Sequence, residues 1–170
     1  MQNSTYYTSP LGRIMLMSDG RSLTGLWFIG QKYFAATSSD KVIEKNDLPV
    51  FEEARSWLDR YFKGDKPQIS ELILEPQGSS FRQSVWEILC EIPYGEVVTY
   101  GSIGQRIAKK LGKKTMSAQA IGGAIGHNPI SIIIPCHRVI GTNGSLTGYA
   151  GGVDKKLKLL EHEGVVGFRK

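Results

Sequence analysis

The order of apolar and polar residues changes its period along the chain. Residues 6–10, 12–18 and 22–28 form short β-prone runs, broken by Ser9, Pro10, Leu11 and Gly12 and by Asp19 and Gly20. Runs of this length between turn formers predict an antiparallel meander. Residues 31–46 are polar and predict a loop-rich stretch with weak helical potential around Phe34, Ala35 and Ala36. From Val50 the period becomes helical. Val50, Phe51, Ala54, Trp57, Leu58, Tyr61 and Phe62 share one face, Asp47 and Pro49 offer a start and Gly64 a stop. A helix is therefore predicted over 49–63, packed on the sheet. Residues 70–74 predict a further strand, and Glu75, Pro76, Gln77, Gly78 and Ser79 a linker.

Beyond the linker the pattern is mostly helical. Ser80 is the expected cap of a helix over 81–92 with Phe81, Val85, Trp86 and Leu89 inward. Thr99 is the expected cap of a helix over 100–111 with Ile103, Ile107, Ala108 and Leu111 inward, ended by Gly112. A shorter helix is predicted over 116–127 with Ala118, Ile121 and Ile125 inward, and a last one over 155–163, capped by Asp154, with Leu157, Leu159 and Leu160 apolar. Lys109, Lys110, Lys113 and Lys114 crowd the turn between the second and third of these helices. Helix, tight basic turn, helix is a helix-turn-helix layout, and its lysines can meet phosphates without reading bases. The fold class expected is α+β, with a small N-terminal antiparallel sheet and helix over residues 1–77. A mostly α-helical domain follows over 78–170.

One stretch carries candidate chemistry. Ile132, Ile133 and Ile134 run into Pro135, and Cys136, His137 and Arg138 follow side by side. The isoleucines predict a short buried strand that Pro135 ends, with Cys136 at its edge. A buried cysteine is ordinarily a small core residue, but a basic neighbourhood lowers a thiol pKa. The residues alone leave both readings of Cys136 open. Cys90, among apolar helix positions, reads as structural.

Composition narrows the class. The chain has 170 residues, 41% hydrophobic and 22% charged, as in a soluble globular protein. No apolar run approaches a membrane span, and Met1 to Thr5 show no signal-peptide pattern. Two cysteines make no disulfide framework, and with three histidines and no Cys-x-x-Cys a metal site is not expected. The expected setting is cytoplasmic, or nuclear in a eukaryote. Net charge is +5, all of it from the second half: residues 80–170 hold 12 basic and 6 acidic side chains, residues 1–79 hold 9 and 10. A basic half-chain suits nucleic acid, and an ordinary basic surface is the alternative.

Pro135-Cys136-His137-Arg138-Val139 strongly resembles the active-site signature of the O6-alkylguanine-DNA alkyltransferases, the methylated-DNA–protein-cysteine methyltransferases. The resemblance runs over residues 80–164. It includes Val85-Trp86, Ile92-Pro93, Gly95, Tyr100, Gly122-Gly123-Ala124, Asn128-Pro129, Gly148-Tyr149, Gly151-Gly152 and His162-Glu163-Gly164. It implies a winged helix-turn-helix in the second domain and a thiol that takes an alkyl group from the O6 of guanine, or the O4 of thymine, once and irreversibly. Cys136 would be the acceptor, His137 its base through a water, Glu163 the group orienting His137, and Asn128 a hinge around the cysteine. Tyr100 would line the guanine pocket. Tyr149, Ala150 and Gly151 would close over it, and the carbonyls of Cys136 and Val139 would receive the guanine amine. Ser117, Ala118, Gln119, Lys113 and Lys114 would meet double-stranded DNA through the minor groove, with the base flipped out. A monomer without cofactor or metal is implied. Gln119 stands where the family usually carries an arginine that fills the vacated stack.

The chemistry agrees with that assignment. Displacing an alkyl group from oxygen calls for a soft, strong nucleophile, which a thiolate supplies. On an extended strand neighbouring side chains point apart, so Cys136 and His137 would communicate through a water. Two other classes remain in competition: a damage-sensing or regulatory DNA-binding protein with an idle Cys136, and a cysteine hydrolase using Cys136 and His137.

Overall fold

The computed structural model describes residues 2–32, 34, 41–146 and 148–168. The chain forms two compact units, Met1–Gln77 with Pro129–Ile133, and Gly78–Asn128 with Ile134–Lys170. The first unit thus takes five residues from the middle of the second half of the chain.

In the first unit β1 (Gln2–Ser9), β2 (Gly12–Ser18) and β3 (Leu23–Phe28) form the expected meander, and β4 (Val42–Glu44) joins β1 in parallel, giving the order β3-β2-β1-β4. The weak helical potential around Phe34 falls on residues outside those described, apart from Phe34 itself. Helix α1 (Pro49–Lys63) has the predicted bounds. Val50, Phe51, Ala54, Trp57, Leu58 and Tyr61 are buried on its sheet-facing side, and Gly64 closes it at φ 92°. Its N-cap is Leu48 rather than Asp47, without a side-chain bond; Pro49, which has no N–H to satisfy, begins the helix. Residues 70–74 do not form a strand: Ile69–Glu71 is a 3-10 turn, and only Leu74 bridges, to Leu23. The Pro129–Ile133 segment lies on the same β3 edge, where Leu26 donates to the Pro129 carbonyl at 2.8 Å and accepts from Ser131 at 3.0 Å. An edge otherwise open to other strands is thereby covered.

The second unit holds α2 (Ser80–Leu89), β5 (Val98–Thr99), α3 (Tyr100–Lys110), α4 (Ala118–Gly126), β6 (Val139–Ile140) and α5 (Val153–His162). Ser79, not Ser80, caps α2, accepting from the Arg82 N–H, because only a residue still in extended backbone can reach back to the first turn. Thr99 caps α3 as expected. Leu111 lies past the end of α3 and is exposed, and Ala118, read as inward, is exposed on the first turn of α4, whose cap is Ser117. Gly152 precedes α5 at φ 101°, so Asp154 sits inside its first turn as a charge on the helix N-terminus rather than as the cap. Trp86 fixes α2 to α4 by donating its indole N–H to the Ala124 carbonyl at 2.8 Å. Among the described residues no helix is long and apolar enough to cross a membrane.

Candidate active site

The isoleucine run is not a strand. Ile132, fully buried, has φ 70°, and the Ile133 N–H bonds back to the Ser131 carbonyl at 2.8 Å. That is a γ-turn of the strained hand, costing about 1–3 kcal/mol for a β-branched residue. Pro135 follows at φ −82°, ψ 62°, with the Cys136 N–H bonded to the Ile134 carbonyl at 2.8 Å, a second three-residue turn. Cys136–Arg138 is then one 3-10 turn, and extended pairing begins only at Val139, which lies parallel to Val98. The run is apolar because it is buried, not because it is extended.

Asn128 anchors this path. Its Nδ2 donates to the Ile134 carbonyl at 2.9 Å, tying the residue where the chain leaves the second unit to the one where it returns. The same side chain hydrogen-bonds the Cys136 thiol. Burial pushes that thiol up, while the Asn128 bond and the charge of Lys156 pull it back. The outcome differs from the sequence expectation: burial outweighs the basic neighbours, and the resting sulfur is protonated. In a 3-10 turn successive side chains diverge by about 120°, so Cys136 and His137 still point apart.

His137 is wholly buried and its Nε2 lies 2.7 Å from Glu163 Oε2. Glu163 accepts twice on each oxygen: from the Gly95 N–H (3.0 Å) and Arg138 Nε (2.8 Å) on Oε1, and from His137 and Arg138 Nη2 (3.1 Å) on Oε2. Burial alone would raise the Glu163 carboxyl, but the His137 bond and the Arg138 guanidinium hold it well below the usual carboxylate range. For His137 burial comes first and lowers its pKa, against the pull of Glu163 and with the help of Arg138 and Lys156. The imidazole is neutral at pH 7. An ionised carboxylate only accepts, so the proton sits on Nε2. Nδ1 is left as a buried acceptor with no protein partner.

The remaining candidate residues fall into two groups. Parallel pairing of Val98 with Val139 and Thr99 with Ile140 sets Tyr100, the first residue of α3, beside the strand that leaves the cysteine turn. Gly148 passes close to the Tyr100 hydroxyl: at φ 70° a Cβ there would stand 3.3 Å from it. Tyr149 is buried and Ala150 and Gly151 are half-buried in the same loop, of which Thr147 lies outside the described residues. Lys113, Lys114, Ser117, Ala118 and Gln119 form the second group, all exposed at the turn and first residues of α4. A cavity of about 310 Å³ lined by Tyr100, Gly104, Gln105, Lys114, Met116 and Ala118 lies between α3 and the start of α4. Cys90 is half-buried, and its thiol is pushed up to about 11 by burial and then by Glu87 and Glu91. Among the described residues no cluster of His, Cys, Asp and Glu could hold a metal.

Two residues of the site hold places that the sequence reading did not give them: Arg138, read only as a basic neighbour of the thiol, and Lys156, not singled out at all. Arg138 clamps Glu163 and also donates to the Ile92 carbonyl at 2.7 Å. Lys156 is fully buried on α5. The signal for it was spacing: Lys156, Leu160 and Glu163 stand at i, i+4 and i+7, one helix face.

Comparison with known proteins covers nearly the whole chain. Residues 80–165 match the family model described as 6-O-methylguanine DNA methyltransferase, DNA binding domain, and residues 4–76 match its ribonuclease-like domain. A methylated-DNA–protein-cysteine methyltransferase of Haemophilus influenzae is 43% identical over 159 residues, 94% of this chain and 84% of the relative. One from Methanosarcina mazei is 44% identical over 155 residues, 91% of this chain and 92% of the relative. Among solved structures, the O6-methylguanine methyltransferase of Mycobacterium tuberculosis superposes with TM-score 0.80 at 39% identity, covering 96% of this chain and 93% of that one. The OGT protein of M. tuberculosis in complex with DNA gives 0.79 at 39%, covering 95% and 91%.

Proposed function

The chain belongs to the 6-O-methylguanine-DNA methyltransferase family, and we propose that it repairs DNA by direct reversal, moving an alkyl group from the O6 of guanine onto its own Cys136. The observation that carries this reading is the buried relay: a thiol held by Asn128, and beside it a neutral histidine whose Nε2 is fixed by Glu163 and whose Nδ1 is open.

The reaction is a displacement at carbon. Sulfur bonds to the alkyl carbon, the carbon–O6 bond breaks, and its electron pair goes to the base. The thiol proton passes through a water to His137 Nδ1, where Glu163 stabilises the imidazolium, as in triad logic. Tyr100 donates to the base as charge builds on it, and guanine takes up the proton that the thiol lost. The product is a thioether with no leaving group, so each chain reacts once. The target oxygen lies inside the duplex, so the base must leave the stack. Lys113 and Lys114 meet phosphates, and Ser117, Ala118 and Gln119 enter the minor groove at the start of α4. Tyr149, Ala150 and Gly151 close over the base, whose amine is received by the Cys136 and Val139 carbonyls. The relay residues all come from one unit of one chain, which supports action as a monomer.

A duplex carrying O6-methylguanine with an isotopic methyl label tests the proposal. One labelled methyl per chain, located on Cys136, is expected. Label on Cys90 would overturn the assignment of Cys136 as acceptor, no label at all would favour a damage-sensing protein, and repeated turnover of an ester or amide a hydrolase.

Gln119 tunes the flipping step. It is exposed at the second position of α4, without the charge of the arginine usual there. A base leaving the stack costs a few kcal/mol, and a guanidinium in its place offsets on the order of 1 kcal/mol. Gln119→Arg is therefore expected to speed repair of duplex severalfold and leave reaction with the free modified base unchanged. Equal gains on both substrates would move the effect to the thiol pocket.

A further inference from the structure

The cavity between α3 and the start of α4 is kept open by two glycines. Its volume, about 310 Å³, is at the small end for a ligand pocket. Tyr100, Gly101 and Gly104 line it from α3, and Lys114, Met116 and Ala118 from the turn and the first residue of α4. Glycine inside a helix lowers stability relative to alanine, because the unfolded chain has more freedom to lose. Gly104 stands in the body of α3, yet the fold does not ask for glycine there. Neither Gly101 nor Gly104 has positive φ. A Cβ on Gly104 would meet the Ile121 side chain at 3.7 Å, and one on Gly101 the Thr99 hydroxyl at 3.9 Å, both ordinary contacts. The space that these residues leave is not taken up by the protein's own packing.

We propose that this cavity is the passage for the damaged DNA strand: the deoxyribose of the nucleotide beside the flipped guanine lies against Gly104, with its phosphate at Lys114. Gly104 is then a residue of close approach between helix backbone and DNA. The inference rests on reading the second unit as one that binds a duplex and takes a guanine out of it.

A base that leaves the stack stays tied to its strand. The strand must therefore run from the groove that α4 enters to the guanine pocket that Tyr100 lines. The cavity has Ala118, the first residue of α4, on one wall and Tyr100 on the other. Its lining suits a sugar and a phosphate. Gly104, Ala118 and the half-buried Met116 offer an apolar surface to a deoxyribose ring. Lys114, exposed at the rim, offers a cation to the phosphate, and none of the described residues that line the cavity is acidic. Contacts of this kind hold the strand in register without reading bases, which suits a lesion met in any sequence.

The test fills the cavity from Gly104, with alanine and then with leucine, both good helix formers. Gly104→Ala is expected to raise Tm by about 2–4 °C. It should nevertheless weaken binding to a duplex carrying O6-methylguanine about fivefold, and Gly104→Leu more than about tenfold, as overpacking does. Fluorescence anisotropy in the Cys136→Ser background measures the affinity, since no transfer then removes the lesion. With Cys136 in place, the rate of methyl transfer from the duplex, divided by that from the free modified base, should fall in the same order. Folded variants that hold the duplex as tightly as the parent would overturn the proposal. A lowered Tm in Gly104→Ala would also overturn it, by showing that the glycine serves the packing of α3. Should the parent leave no methyl on Cys136, the repair reading falls, but the affinity comparison still decides whether the strand uses the cavity.

Discussion

Cys136→Ser is expected to reduce alkyl transfer to background while DNA affinity stays within about twofold, a change of about 0.4 kcal/mol. Serine keeps the shape of the turn, and Asn128 can bond a hydroxyl as it bonds the thiol. An alcohol at neutral pH, however, is a far weaker nucleophile than a thiol and would need a much stronger base than neutral His137 to ionise. The fold should lose no more than about 1 kcal/mol, the burial cost of a hydroxyl that keeps one partner. A gel-shift titration and a label-transfer assay on the same duplex separate the two effects. Residual transfer at more than a trace would mean that another group receives the alkyl.

The second large effect belongs to Arg138. Its removal leaves the Glu163 carboxylate buried without its guanidinium partner, though still bonded to the Gly95 N–H and His137. Breaking one side of a buried pair typically costs about 3–5 kcal/mol, which for a chain of this size lowers Tm by on the order of 10 °C. Arg138→Met should therefore be strongly destabilised. The double variant Arg138→Met/Glu163→Gln should recover much of the loss, since no unpaired charge remains, yet stay inactive because an amide oxygen can still accept from His137 but carries no charge to stabilise the imidazolium. A thermal-denaturation cycle over the four proteins measures the coupling; purely additive losses would show that the clamp does not hold the site.

The same network sets the acid response. His137 is held neutral, with its folded pKa below the unfolded value near 6.5, so the unfolded chain binds the extra proton first and stability declines as pH falls below about 6.5. Glu163 is depressed as well, so its contribution is complete above the unfolded value near 4.3 and is lost as pH falls towards its lower folded value. In Arg138→Met the guanidinium no longer opposes protonation of His137. Its titration should move up, and any surviving transfer should need higher pH.

Spacing along the sequence was enough for the periodic parts. The meander, α1 with both its bounds, and the pair α3–α4 around a basic turn follow from short β-runs and helical stripes, because side-chain periodicity and local capping are properties of near neighbours. The signature around Cys136 and the landmarks before and after it were also legible, since they are residue identities at fixed separations. The path of the isoleucines was not. Their burial reads equally as strand or as turn, and what decides it is the Asn128 side chain holding the Ile134 carbonyl together with the Leu26 carbonyl accepting from Ser131, the second of these a contact between residues far apart in sequence. The state of the thiol was hidden for the same reason. Sequence places His137 and Arg138 beside Cys136, whereas the fold turns Arg138 onto Glu163, 25 residues away, and brings Lys156 from another helix. Which charges cancel and which act on the sulfur depends on burial and orientation, and those exist only once the chain has folded.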